Sequence, residues 1–158
     1  MRAWTFRLLC GALAVASFGL VSAQAKPNFS GTWKANIAKS DFGALPAPDS
    51  RTDKIVHEDP DLKDTMTVVG QMGESTADLK YSTDGKESTN TVRGNEIKST
   101  AKWDGDELTI AGKGSFNGAD LTLNDRWSLS ADGKTLTITR HLASPAGETD
   151  QKIVLEKQ

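Results

Sequence analysis

Two charged residues in the C-terminal half are spaced to meet. A hairpin turn centred on Asp132-Gly133 brings Asp125 opposite Arg140, on a face that also carries Leu123, Trp127, Ile138 and Leu142. A carboxylate and a guanidinium among apolar neighbours need each other, and arginine can meet a carboxylate with a two-pronged hydrogen bond. Such a pair has two uses. It can pin the hairpin register as an internal salt bridge, or Arg140 can share its donors with an anionic or carbonyl group of a bound molecule. A second pair arises if Pro60-Asp61 centres the turn in Asp59-Pro60-Asp61-Leu62, with proline at the first central position. His57 then faces Asp64, and Ile55 faces Met66. This reads first as an exposed contact at the rim of the sheet. The alternative is a carboxylate that orients the imidazole or raises its pKa.

Other reactive constellations are missing from the sequence. His141 falls on the outer face with Thr135, Thr137 and Thr139, and no H-x-x-x-H or cysteine cluster offers a metal site. There is no G-x-S-x-G elbow and no phosphate-cradling glycine loop. Asp104 and Asp106 sit at a turn, where solvation is expected. Gly112-Lys113-Gly114 reads as a bulge or tight bend. No catalytic residue, metal or cofactor is assigned, and the expectation is a protein that is not an enzyme.

The elements that must position the pair are short strands between tight turns. Asp84-Gly85, Gly94-Asn95, Asp104-Gly105, Asn117-Gly118 and Asp132-Gly133 punctuate alternating apolar and polar runs. The pattern predicts ten strands, at 29–36, 53–58, 62–69, 75–83, 86–93, 96–103, 106–114, 121–130, 134–142 and 150–157. Residues 37–52 hold Gly43, Pro46 and Pro48 and read as an irregular connection with one helical turn near Ile37-Lys39. The turns imply a register. Tyr81 meets Ser88, Leu79 meets Asn90, Val92 meets Ile97, Ala101 meets Leu108, Ile110 meets Asp125 and Trp127 meets Ile138. One apolar face runs through all five turns. Its middle, Ser88, Asn90, Ser99, Ala101 and Gly112, is small or polar, where a packed core wants bulky aliphatics. A closed sheet with that lining holds a cavity, unless a loop bearing Phe42 and Leu45 covers it. The fold class is all-β, a single antiparallel up-and-down barrel of about ten strands.

Residues 1–25 have the layout of a secretory signal peptide. Arg2 and Arg7 precede an apolar stretch from Leu8 to Val21, and Ala23-Gln24-Ala25 is an A-x-A cleavage site. Residues 26–158 form the one remaining domain. The only cysteine, Cys10, is lost with the peptide. Removing Arg2 and Arg7 from the 19 basic residues leaves 17 against 21 acidic ones, about −4, which argues against nucleic acid or anionic lipid as partner. No membrane span is expected in residues 26–158. The predicted location is periplasmic or extracellular, as a monomer or weak oligomer.

Asn28-Phe29-Ser30-Gly31-Thr32-Trp33-Lys34 resembles the first strand of the calycins, the lipocalins and fatty-acid-binding proteins, which open with a G-x-W element, here Gly31-Thr32-Trp33. Lys152-Ile153-Val154-Leu155-Glu156-Lys157 resembles the closing strand of fatty-acid-binding proteins. The resemblance implies a lipocalin-like barrel with an apolar ligand inside, and a structural role for Gly31 and for Trp33, which closes one end. It also implies an arginine and a tyrosine two apart on the last strand to grip a carboxylate, and Ile153 and Leu155 stand in those places. The resulting expectation is an exported binding protein for a small apolar or amphipathic molecule, contacted by Arg140, Asp125, Tyr81, Asn90 and Trp127. The alternative is an envelope interaction or inhibitor module that acts through the 37–52 loop.

Overall fold

The computed structural model describes residues 25–116 and 118–158. The expected signal peptide therefore lies outside the described residues apart from Ala25, as does Asn117. All ten predicted strands form. They are β1 (Gly31–Ala35), β2 (Ser50–Glu58), β3 (Asp61–Gly70), β4 (Gly73–Ser82), β5 (Asp84–Val92), β6 (Asn95–Asp104), β7 (Glu107–Phe116), β8 (Ala119–Leu129), β9 (Thr135–Ser144) and β10 (Gly147–Lys157). One 3₁₀ turn, Ile37–Lys39, stands where a helical turn is expected, and the Asn36 side chain caps it by accepting from the Lys39 N–H. The strands make one antiparallel sheet in the order β4-β3-β2-β1-β10-β9-β8-β7-β6-β5, a nearly closed up-and-down barrel.

Two of the expected registers are observed directly. Gly112 pairs with Leu123, Ile110 with Asp125 and Leu108 with Trp127 across β7 and β8. Trp127 pairs with Ile138 and Asp125 with Arg140 across β8 and β9. Three others are displaced by two residues, which keeps every side chain on its expected face. Val92 pairs with Asn95, so the β5–β6 turn is centred on Arg93-Gly94 and not on Gly94-Asn95. Arg93 and Gly94 have φ of 48° and 79°, the two positive values of a type I′ turn, and the Asn95 amide ties down the Val92 and Arg93 carbonyls. Ala101 pairs with Ile110 rather than Leu108, because Gly105 takes the first central position of its turn with φ 60°, as in a type II′ turn. His57 pairs with Leu62 and Ile55 with Asp64, because Pro60 occupies the second central position and not the first.

The Asp84-Gly85 hairpin is the larger correction. β4 and β5 are consecutive in the chain, yet they are the two edges of the sheet and share no ladder. The local donors are used elsewhere. The Thr83 N–H donates to the Pro60 carbonyl at 2.8 Å, and the Asp84 carboxylate accepts from the Ser82 hydroxyl and the Lys86 N–H. A bulge follows between Asp84 and Glu87. One side chain bridges this seam. Asn90 accepts from the Lys80 N–H at 2.7 Å and donates to the Lys80 carbonyl at 2.9 Å, which imitates a pair of ladder bonds. Asn90→Ala will leave both Lys80 groups unpaired in a half-buried seam, at about 1–3 kcal/mol. A urea titration checks this, and an unchanged midpoint would mean that water replaces the amide.

Gly112 and Gly114 lie in regular ladders, so no bulge forms at Gly112-Lys113-Gly114. A Cβ at Gly114 would come within 2.4 Å of the Glu96 carbonyl oxygen, and one at Gly112 within 3.0 Å of Leu123 and Ser99. These glycines let neighbouring strands and the Leu123 side chain close in. Part of the thin inner face is thereby filled.

Candidate site in the barrel interior

Successive turns of an up-and-down barrel alternate between its ends, and here the two ends differ. At the end with the β2–β3 and β6–β7 turns, the interior is packed solid. Phe29, Trp33, Leu62, Leu108, Trp127, Leu136, Ile138, Ile153 and Leu155 are all buried there. The Phe29 ring stacks on His57 and Trp103 at 5.6 and 5.8 Å and meets Trp127 edge-on. The Trp33 indole donates to the Phe29 carbonyl at 2.8 Å. Gly31 has φ 143° and pairs with Ile55, beside the packed Trp33. His57 is buried here, not exposed at a rim, because it alternates with Ile55 on the inward face of β2 and lies at the packed end. Its Nδ1 accepts from the Phe29 N–H, and its Nε2 lies 3.5 Å from the Asp59 carboxylate. Asp59 also accepts from the Thr83 hydroxyl and the Trp103 indole, and the Thr83 bond above all holds its pKa below the ordinary value.

Above this plug lies a belt of polar groups. Arg140 donates through Nε and Nη2 to the two Asp125 oxygens at 2.7 and 2.6 Å, the two-pronged contact expected from sequence. Arg51 makes a comparable fork with Asp53, two residues along β2, at 2.7–3.2 Å. The Arg51–Asp53 side chains are 6% and 0% exposed; those of Arg140 and Asp125 are 22% and 2%. Burial disfavours each guanidinium, but the adjoining carboxylate outweighs it and holds both arginines above their ordinary pKa. Burial, aided by the Asp125 charge, pushes the Tyr81 hydroxyl upward. Tyr81 also packs edge-on against Trp127.

Asp64 completes the belt. It is 1% exposed, and neither carboxylate oxygen has a hydrogen-bond partner among the described residues. Burial first, then the Asp53 charge, raises its pKa well above the usual carboxylate range. The folded protein therefore holds this proton above the unfolded value of about 3.9. Asp64 is stabilising while protonated and becomes a cost as pH rises through its folded pKa. Asp64→Asn will flatten that decline, so its thermal midpoint will exceed that of the parent at alkaline pH and match it near pH 4. A parallel pair of pH profiles would contradict this.

Beyond the belt, towards the β3–β4, β5–β6 and β7–β8 turns, the inner wall changes character. Met66, Val68, Val92, Ile97, Leu123 and Leu142 face inward but are only half-buried. Apolar side chains are exposed at the tips around this end: Met72 at 79%, Leu45 and Phe116. The 37–49 connection folds partly over it. Asp41 bridges to Lys152, Gln151 donates to the Phe42 carbonyl and the Ala44 N–H donates to Thr149. Phe42 packs against the core, whereas Leu45 stays outside. Gly43 is held close against β10 with φ 60°, and a Cβ there would meet the Asp150 carbonyl oxygen at 2.3 Å.

Of the residues expected to contact a ligand, Arg140 and Asp125 lie together in the belt, beside Tyr81. Trp127 is in the packed plug, 1% exposed, with its indole N–H unpartnered among the described residues. Asn90 is buried and its amide is committed to Lys80. Arg51 and Asp53 join the site although the sequence does not single them out: Arg51 lies in the stretch that reads as irregular, and Asp53 is the first residue of the predicted 53–58 strand. The alternation Arg51, Asp53, Ile55, His57 was the available signal. Of two concavities, the larger, about 600 Å³, is lined by Thr109, Arg126 and His141 together with Asp125 and Arg140, and the smaller, about 220 Å³, by Lys63 and Asp78 together with Asp64. Here His141 is on the outer face as expected, bonded to Asp150 at 2.7 Å, chiefly by which its pKa is raised. No helix among the described residues is long and apolar enough to cross a membrane.

This nearly closed, ten-stranded antiparallel barrel is a fold that several solved structures share. A secretory abundant heat soluble protein from Ramazzottius varieornatus aligns with TM-score 0.61 at 16% identity, over 82% of this chain and 94% of that one. Zebrafish ileal bile acid-binding protein, complexed with cholic acid, aligns with TM-score 0.58 at 21% identity, over 82% and 98%. The fluorescent protein UnaG aligns with TM-score 0.51 at 19% identity, over 79% and 95%. No protein-family profile matches the chain, and no curated protein matches it in sequence.

Proposed function

We propose that this chain is an exported, non-enzymatic binding protein that holds a small, largely apolar molecule in the outer half of its barrel. The observation that carries this is the asymmetry of the interior. One end is packed solid, while the other presents half-buried aliphatic walls above a polar floor. Ligand sites are usually mostly apolar concavities with a few placed polar groups, and this half of the interior has that composition. Met66, Val68, Leu123 and Leu142 would touch the apolar body, and the polar belt that holds Tyr81, Arg140 and Asp125 would face its polar end. Zebrafish bile acid-binding protein, crystallised with cholic acid, supplies a precedent on the same fold. The layout of residues 1–25 supports export to the periplasm or the extracellular space.

N-phenyl-1-naphthylamine, a neutral apolar dye that brightens away from water, tests the reading. It will bind saturably, at about one equivalent per chain, and dodecanol will displace it. Val68→Trp, which fills the wall, will abolish the signal in a protein that still unfolds cooperatively. Saturable binding unchanged by that substitution would overturn the assignment to the interior. Export is checked separately by the mass of the secreted chain, expected to begin at Lys26.

A further inference from the structure

Among the described residues, five ionisable side chains face the middle of the barrel: Arg51, Asp53, Asp64, Asp125 and Arg140. Arg51 is committed to Asp53 and Arg140 to Asp125, each by a two-pronged contact. Two cations against three carboxylates leave Asp64 over. Its side chain points inward from β3, in the row Ile55–Asp64–Leu79, diagonal to Asp53. Both of its oxygens are buried without a partner among the described residues. A buried ionised carboxylate needs a cation or a full set of donors, and a buried neutral acid still needs its hydrogen bonds. The neighbouring chain supplies neither.

We propose that the ligand carries a single cationic, hydrogen-bond-donating head, such as a primary ammonium on an apolar chain, and that Asp64 receives it. The inference rests on the interior-binding reading and specifies its ligand class. With such a guest the buried charges balance, three against three, and the ammonium protons fill the vacant acceptors on Asp64 as charge-assisted bonds. An anionic head would instead enter beside the paired carboxylates of Asp53 and Asp125, with both arginines already engaged by them. The charge count therefore selects against the carboxylate ligands that the fold resemblance brings to mind.

Binding is linked to a proton. The ionisable groups that act on Asp64 are Arg51 and Asp53 from β2, Tyr81 from β4 and Arg140 from β9; Asp125 from β8 acts in turn on Tyr81. Arginine and tyrosine do not titrate between pH 5 and 8. Burial of Asp64 favours its neutral form, so pairing with an ammonium expels the proton, and amine affinity will rise with pH until the folded pKa of Asp64 is passed.

The test is a head-group series of one chain length. Dodecylamine, dodecanol and dodecanoate are titrated into the wild-type protein at pH 8, below their aggregation limits, by calorimetry. Dodecylamine is expected to bind at least about tenfold more tightly than dodecanol, and dodecanoate the most weakly. Asp64→Asn will bring the amine down to the level of the alcohol and leave the alcohol unchanged. Dodecanoate binding as tightly as the amine, or an amine preference that survives in Asp64→Asn, would overturn the proposal while leaving interior binding intact. Failure of all three chains to bind would overturn both. The series in the wild-type protein is decisive even if the variant does not fold.

Discussion

Replacing Arg51 with alanine will lower the stability of this barrel by about 3–5 kcal/mol. Arg51 and Asp53 are almost wholly buried, so the cost is set by what the substitution leaves behind. Asp53 would remain fully buried without its cation, with Asp64 diagonal to it as a second carboxylate that already lacks partners. Two carboxylates in one low-dielectric site cannot both ionise cheaply, and at least one must take up a proton. The loss will therefore be greatest at neutral to alkaline pH and smaller near pH 4. Asp53→Asn in the same chain will recover part of it, since the orphaned charge is gone. Urea unfolding of the single and double variants measures this. A loss below about 1 kcal/mol would mean that water reaches the pair and screens it.

The second large effect is at Arg140. Arg140→Ala will cost about 3 kcal/mol, the lower end of the range for breaking a buried pair, because this guanidinium is 22% exposed while Asp125 is 2% exposed. The two pairs differ in a further respect. Arg51 and Asp53 are on one strand, whereas Arg140 and Asp125 join β9 to β8 and so hold register as well as charge. Replacing both members, Asp125→Leu with Arg140→Met, will restore most of the stability lost in the single variant, since apolar residues of similar volume often substitute well for a buried ion pair. A double variant as unstable as Arg140→Ala alone would contradict that expectation. It would indicate that the pair is needed to define the hairpin and not only to neutralise Asp125.

The parts of the fold that could be read in the sequence are those in which turn chemistry and apolar alternation agree. From β7 to β9 the turns are symmetric about their Gly-containing dipeptides, so the Asp125–Arg140 contact followed by counting. Elsewhere glycine marked the turn but not its centre. Gly94 sits second in its turn and Gly105 first, and only backbone φ separates type I′ from type II′. Each such ambiguity moves partners by two residues, which preserves the face. The inner lining was accordingly legible where individual partners were not. The β4–β5 seam was not legible, because a competing set of local bonds around Thr83 and Asp84 replaces the ladder, and such competition leaves no periodic trace. Arg51 escaped notice because charged residues in a Pro-rich stretch look like loop, although the alternation of β2 runs through it. The role of Asp64 depended on a register set by which central position Pro60 occupies.

Uptake of an apolar molecule by the outer half of the barrel, and not by its surface, is the central claim. Methyl-selective NMR during a dodecanol titration examines that claim residue by residue. The account predicts saturable shifts at the inward-facing methyls of Met66, Val68, Leu123 and Leu142, little change at Leu62, Leu136 and Ile138 in the packed end, and none at the outward-facing Val56. Shifts confined to the exposed tips at Leu45 and Met72, or spread without saturation over the outer surface, would contradict it.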